Sequence, residues 1–183
     1  MDVLDLLLRS ARLKWVTRSG WQMRGVPDSE SVADHSWGVA WLALVLADLA
    51  DEPLDRGRLL ALALTHDLAE VTLSDIPGPA LRYLPAEVKQ QAEERTLSDL
   101  LAPLAGRDEL LSGWREFETA ASPEGRLVRD ADRLDMLIQA FLYETAQGTR
   151  LDEFWDDQGD FSFAVAQDLY QALRARRDAW LEG

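Results

Sequence analysis

Histidine is scarce in this chain: there are two, His35 and His66. His66 stands directly beside Asp67 in the run Leu64-Thr65-His66-Asp67-Leu68-Ala69-Glu70, and Glu70 follows four residues after His66. On a helix that spacing brings Glu70 to the same face as His66. Asp75 comes just before Ile76-Pro77-Gly78-Pro79, where any helix must already have ended. The residues ahead of the cluster, Leu59 to Leu64, are almost wholly apolar, so the polar group emerges from a buried helix. Three carboxylates and an imidazole in such a place are costly without a positive partner, and a divalent metal is the simplest one.

A metal needs donors that converge from other parts of the fold. His35 lies in the early turns of a preceding helix. Further on, Arg129-Asp130-Ala131-Asp132-Arg133-Leu134-Asp135 offers three aspartates in a helix otherwise rich in Leu, Ile and Ala. Asp132 is four residues from both Val128 and Met136, on an apolar stripe that faces the core. A buried, unpaired aspartate is expensive, so service as a ligand explains its position. Asp130 and Asp135 fall on neighbouring or opposite faces, where Arg129 and Arg133 can offset them. The candidate metal set is therefore His35, His66, Asp67 and Asp132. This mixed nitrogen and oxygen set suits Mn, Fe, Co or Zn rather than Ca, and four protein ligands on a six-coordinate ion leave room for water and a substrate oxygen.

Helical periodicity dominates the elements that must carry these residues, and strand-like alternation is nearly absent. The spacing predicts a first helix from about Val3 to Lys14 and a Gly- and Pro-containing loop from Thr17 to Glu30. A second helix starts at Ser29 or Ser31 and runs to about Asp51; a third is capped by Asp55 and carries the His66 cluster. Pro85 opens a fourth helix, residues 107 to 120 form a short amphipathic one, and Ser122-Pro123 starts a long one that closes at Gln147-Gly148. A last helix covers about 161–181. The expectation is all-α: one bundle of about six to seven helices over residues 1–183, with the motifs between about 13 and 144.

The 183 residues carry a formal net charge of −14, from 33 acidic and 19 basic side chains. Such a field opposes duplex nucleic acid, whose binding rests on neutralising phosphates. It leaves room for a small phosphorylated ligand, because a metal and a few local arginines invert the field within one pocket. No apolar run approaches the roughly 20 residues of a membrane span. There is no cysteine, and Met1-Asp2-Val3-Leu4-Asp5 is acidic where a signal peptide is basic; a cytoplasmic location is the expectation.

In this order, His35, His66-Asp67 and Asp132 resemble the H…HD…D signature of the HD superfamily of metal-dependent phosphohydrolases. More narrowly, Leu13-Lys14-Trp15-Val16-Thr17-Arg18, Glu30-Ser31-Val32-Ala33-Asp34-His35-Ser36, His66-Asp67-Leu68-Ala69-Glu70, Ser74-Asp75-Ile76-Pro77 and Asp132-Arg133-Leu134-Asp135-Met136 look like the HD-domain 5′-deoxynucleotidases. One departure is that Ser19-Gly20 separates Arg18 from Trp21, which are adjacent in the bacterial prototype.

The resemblance implies a single HD domain and hydrolysis of deoxyribonucleoside 5′-monophosphates to deoxynucleoside and phosphate. It implies one divalent ion, with Co²⁺, Mn²⁺ or another transition metal as candidates, and a homodimer. Arg18 would stabilise phosphoryl charge, Glu70 and Asp75 would serve as a general acid/base pair, and Trp21 would either meet sugar or base or simply cover the core. Two alternatives stay open. One is another HD-type nucleotide phosphohydrolase: a phosphodiesterase, triphosphohydrolase or pyrophosphohydrolase. These usually occupy longer chains with extra basic contacts, whereas this short chain has one arginine loop. The other is a non-catalytic helical metal-binding protein, which has no reason to place Glu70 and Asp75 beside a satisfied metal.

Overall fold

Apolar side chains recurring at helical spacing resolve into a helical bundle. The computed structural model describes residues 2–156 and 159–183. In chain order it contains α1 (Val3–Ser10), a 3-10 turn at Ala11–Trp15, α2 (Ser19–Gln22), α3 (Val32–Leu49), α4 (Arg56–Thr65) and α5 (Glu70–Leu73). Then follow α6 (Gly78–Leu81), α7 (Ala86–Leu100), α8 (Arg107–Thr119), α9 (Pro123–Gln147), a 3-10 turn at Asp152–Phe154 and α10 (Ala164–Glu182). Among the described residues, β-pairing is confined to an isolated antiparallel bridge between Thr17 and Ser31.

α3 is the central layer, packed on α4 and α9, with α8 closing over both and α10 lying on α9. Val39, Ala43 and Leu46 of α3 meet Leu59, Leu62 and Ala63 of α4 and Leu127, Val128, Ala131 and Leu134 of α9 in one buried cluster. By length and composition α3 is apolar enough to cross a membrane; here it is the middle of the bundle and carries His35. Its start is fixed by a capping box in which Ser31 and Asp34 serve each other's backbone N–H groups. Ser31, not Ser29, is thus the cap. Asp55 caps α4 and Ser122 caps α9.

Two expectations need correction. The His66 cluster does not ride on one continuous helix: α4 stops at Thr65, residues 66–69 form a turn, and Glu70 opens α5. Side chains of adjacent helical residues point about 100° apart, so an unbroken helix would send Asp67 away from the point where His66 aims. The turn brings His66 Nε2 and Asp67 Oδ2 to 3.2 Å. Beneath it, Ala69 packs with Leu97, Leu101, Leu111 and Trp114 in a second cluster that ties the turn to α7 and α8. The Thr17–Glu30 segment, expected as loop, contains α2.

Arg133 offsets the Asp130 charge from a distance, but among the described residues neither Arg129 nor Arg133 is seen in an ion pair with Asp130 or Asp135. They donate to the backbone carbonyls of Glu118 and of Gly159 and Asp160. Asp130 instead accepts from the backbone N–H groups of Ser162 and Phe163 and so fixes the approach to α10.

α10 carries no sequence motif, yet it holds the end of α9. Arg177 donates twice to Glu144, both at 2.7 Å, and Glu144 is fully buried. Glu144 also accepts from Leu151 N, and Arg177 reaches Asp152 at the head of the segment bearing Phe154. Breaking a buried pair by removing one member strands the other charge. Arg177→Met is expected to lower the unfolding free energy by about 3 kcal/mol, read as a reduced urea midpoint. An unchanged midpoint would show that the pair contributes nothing net.

Candidate active site

Each imidazole is aimed by its inner nitrogen. His35, with no exposed surface, donates from Nδ1 to Asp135 Oδ2 at 2.8 Å. His66 donates from Nδ1 to the Ala63 carbonyl at 2.8 Å, one turn back in α4, and its ring lies against Phe117. Both partners only accept, so the Nδ1 protons are fixed and both Nε2 atoms turn inward. They meet at 3.4 Å. Asp132 Oδ1 from α9 lies 3.1 Å from His35 Nε2, and Asp67 Oδ2 lies 3.7 Å from the same atom. All four expected ligands thus come together, from α3, the turn after α4, and α9.

The donor set fits a divalent transition metal. Donors about 2.1 Å from an ion lie about 3.0 Å apart at a right angle and about 3.4 Å apart at a tetrahedral one; the separations of the two imidazoles from each other and from the nearest carboxylate oxygens run from 3.1 to 3.7 Å. Two nitrogens and two carboxylate oxygens are the right chemistry. The electrostatics also call for a cation. Burial and Arg18 oppose a charge on His35, yet hydrogen bonds to Asp132 and Asp135 prevail and raise its pKa to about 10. Burial likewise opposes the ionised forms of Asp67 and Asp132, but both are held below the ordinary carboxylate value. His66 and Arg18 are the main cause for Asp67, and His35 for Asp132.

Arg18 donates to Asp67 Oδ2 at 3.3 Å and lies 3.9 Å from Asp75 Oδ1. Burial disfavours its charge, but Asp67, Asp132, Asp75 and Glu70 more than compensate and hold it firmly protonated. Asp75 is already engaged. Its Oδ2 accepts from Ser19 N at 2.5 Å and from Ser19 Oγ at 2.8 Å. Ser74, just before it, sits at φ 63° and ψ 163°, a conformation close to glycine-only that costs roughly 1–3 kcal/mol. The strained turn delivers Asp75 to the α2 N-terminus, where it anchors the arginine loop. Glu70 differs: it is 7% exposed and its Oε2 has no hydrogen-bond partner among the described residues. Burial, then Asp67 and Asp75, push its pKa up to about 9 against the pull of Arg18 and Lys89.

These groups line one cleft of about 510 Å³, within the roughly 300–1,000 Å³ usual for small-molecule sites. Arg18, Asp67, Glu70 and Asp132 share it with Lys89 of α7 and Phe154. Trp21 also lines the cleft, but little of it is exposed there. It is 1% exposed, its ring stacks on Phe154 at 4.3 Å, its edge meets Tyr143, and its Nε1 donates to Glu30. With Phe154 stacked on its ring, Trp21 packs into the cleft wall.

Sequence reasoning missed Asp135, Lys89 and Phe154. Asp135 had a signal, since it is three residues from Asp132 and so shares its helix face. Lys89 and Phe154 had none, because they lie outside the motif-bearing segments and reach the cleft by tertiary packing.

Comparison with known proteins follows the same lines. The family model described as "HD domain" matches residues 10–167. The 5′-deoxynucleotidase HDDC2 of Bos taurus is 37% identical over 187 residues, covering 100% of this chain and 89% of that protein. The 5′-deoxynucleotidase YGK1 of Saccharomyces cerevisiae is 30% identical, covering 93% of this chain and 80% of that protein. A solved structure of a conserved hypothetical protein from Pyrococcus furiosus superposes with a TM-score of 0.80 at 36% identity, over 96% of this chain and 99% of that one. A family match across most of the sequence, with near-full-length relatives that share the bundle, makes this chain a member of the HD-domain family.

Proposed function

We propose that the chain is a metal-dependent phosphomonoesterase that hydrolyses deoxyribonucleoside 5′-monophosphates to deoxynucleoside and phosphate. The observation that carries this reading is the convergence of His35, His66, Asp67 and Asp132 at one cleft beside Arg18 and a carboxyl, Glu70, with an oxygen that has no partner among the described residues. Relatives at 30% identity or more are named 5′-deoxynucleotidases, which supports the substrate class.

His35, His66, Asp67 and Asp132 would hold a divalent ion, which would supply Lewis-acid charge at the phosphate and lower the pKa of a water. Co²⁺ or Mn²⁺ suits the donor set. The chain's own residues do the rest. Arg18 faces the same cleft and stabilises charge gathering on the equatorial oxygens. Glu70, raised toward neutrality by burial and its acidic neighbours, holds a proton for the leaving 5′-oxygen. Asp75 fixes the Ser19 backbone and flanks Arg18, a positioning role in place of the expected share in proton transfer. Phe154 and the rim at Ile76–Pro79 present apolar surface to the nucleoside.

The test is phosphate release from dAMP, AMP and dATP with added Co²⁺ or Mn²⁺, repeated after EDTA treatment. Release from dAMP that EDTA abolishes and metal restores is the expected outcome. Release from dATP without release from dAMP would move the reading to a triphosphohydrolase. Stoichiometric metal binding with no turnover of any of the three would leave a metal-binding protein.

A further inference from the structure

Gly38 is at odds with the helix around it. It lies buried in α3, three residues after His35, where almost any other residue would favour the helix more. Space explains the choice. A Cβ at position 38 would fall 2.1 Å from Asp135 Oδ1 and 2.8 Å from its Cγ, so the carboxylate of α9 lies where a side chain of α3 would stand. The other oxygen of that carboxylate takes the Nδ1 proton of His35 at 2.8 Å. Both residues sit on the side of His35 away from the cleft, in a shallow groove with Glu30, Asp34, Trp37 and Gln139. Neither lines the cleft that holds Arg18 and Glu70.

We infer that Gly38 and Asp135 are a paired positioning device for His35: the missing side chain at 38 admits the carboxylate, which fixes the imidazole with Nε2 facing the other three donors. The inference rests on the metal-binding reading of those donors. His66 needs no such device, because the Ala63 carbonyl in the last turn of α4, just before it, takes its Nδ1 proton. His35 has a carboxylate instead, which orients the ring and makes it the more basic ligand. The glycine is what lets α3 and α9 approach closely enough for that contact.

The test titrates Co²⁺ into metal-free wild type, Gly38→Ala, Asp135→Ala, Asp135→Asn and the Gly38→Ala/Asp135→Ala double variant. Affinity and the visible absorption of bound Co²⁺ are both followed. Gly38→Ala and Asp135→Ala are each expected to weaken binding by about 10- to 100-fold and to alter the spectrum. Asp135→Asn, whose amide oxygen still accepts from Nδ1, loses less. Once Asp135 is gone, adding Gly38→Ala should cost no further affinity and should raise the melting temperature of the metal-free protein, as alanine does in a helix. A purely structural glycine would instead cost the same with or without Asp135, and that result overturns the inference. So does wild-type affinity and spectrum in both single alanine variants. A wild-type chain that binds no Co²⁺ overturns the metal reading, and the inference falls with it.

Discussion

Glu70→Gln is expected to lower turnover of a deoxyribonucleoside monophosphate by about 10²- to 10⁴-fold, the usual worth of a positioned general acid, while metal affinity stays near wild type. Glutamine keeps the size and polarity of the side chain but carries no transferable proton. The carboxyl can serve because burial, with Asp67 and Asp75 close by, raises its pKa from 4.5 to about 9 in the metal-free chain. An ion beside Asp67 favours the carboxylate, so in the loaded protein the value falls below that. The proton must be present to be donated, so kcat of wild type declines as pH rises through the Glu70 pKa, and Glu70→Gln lacks that limb. Linkage gives a second readout. A carboxyl whose folded pKa is raised contributes stability that is complete below the unfolded value and lost as pH climbs through the folded one. Metal-free wild type should therefore lose stability relative to Glu70→Gln between about pH 4.5 and 9. Equal turnover in the two proteins would remove Glu70 from the chemistry.

The candidate metal ligands could be picked out in the sequence because few residue types can hold a transition metal, and this chain has two histidines and no cysteine. Each candidate also sat where burial demanded a reason: His66-Asp67 after an apolar run, Asp132 on an apolar stripe. Helix caps at Ser31, Asp55 and Ser122 were readable for a similar local reason, the short hydrogen bond from side chain to backbone. What could not be read depends on where separate elements come to rest. The break at residues 66–69 has no proline or glycine to announce it; tertiary packing of Ala69 and the demand that His66 and Asp67 aim at one point set it. Asp75 reads as a free carboxylate until Ser19, 56 residues earlier, is seen to occupy it. Trp21 reads equally as a nucleoside contact or a core residue until Phe154 is seen stacked on its ring. Asp135 shares a helix face with Asp132, yet only the recess at Gly38 on another helix shows why it can reach His35.

Arg18→Ala is the other substitution with a large expected effect, about 10²- to 10³-fold in kcat/KM, the scale seen when one preorganised charge-stabilising donor is removed. Arg18 is the cleft cation paired with Asp67: it lies 3.3 Å from Asp67 and 3.9 Å from Asp75, with Glu70 and Asp132 close enough to reinforce its charge. Without it the monophosphate dianion loses the guanidinium beside Asp67 and Asp75, and the bound ion with the other basic residues lining the cleft, Arg24, Arg82, Lys89 and Arg133, is left to attract it. Arg18→Lys should recover part of the loss, since it restores the charge but not the planar fork that reaches two acceptors at once. The same substitution separates two roles by its effect on stability. In the metal-free chain Arg18 balances Asp67, so Arg18→Ala should lower the melting temperature; saturating Co²⁺ should narrow that gap, because the ion takes over the balancing charge. The catalytic loss should not narrow with added metal, because it arises at the phosphoryl oxygens rather than at Asp67. If excess Co²⁺ restored turnover along with stability, Arg18 would be a partner of the ligand set and not a contact of the substrate.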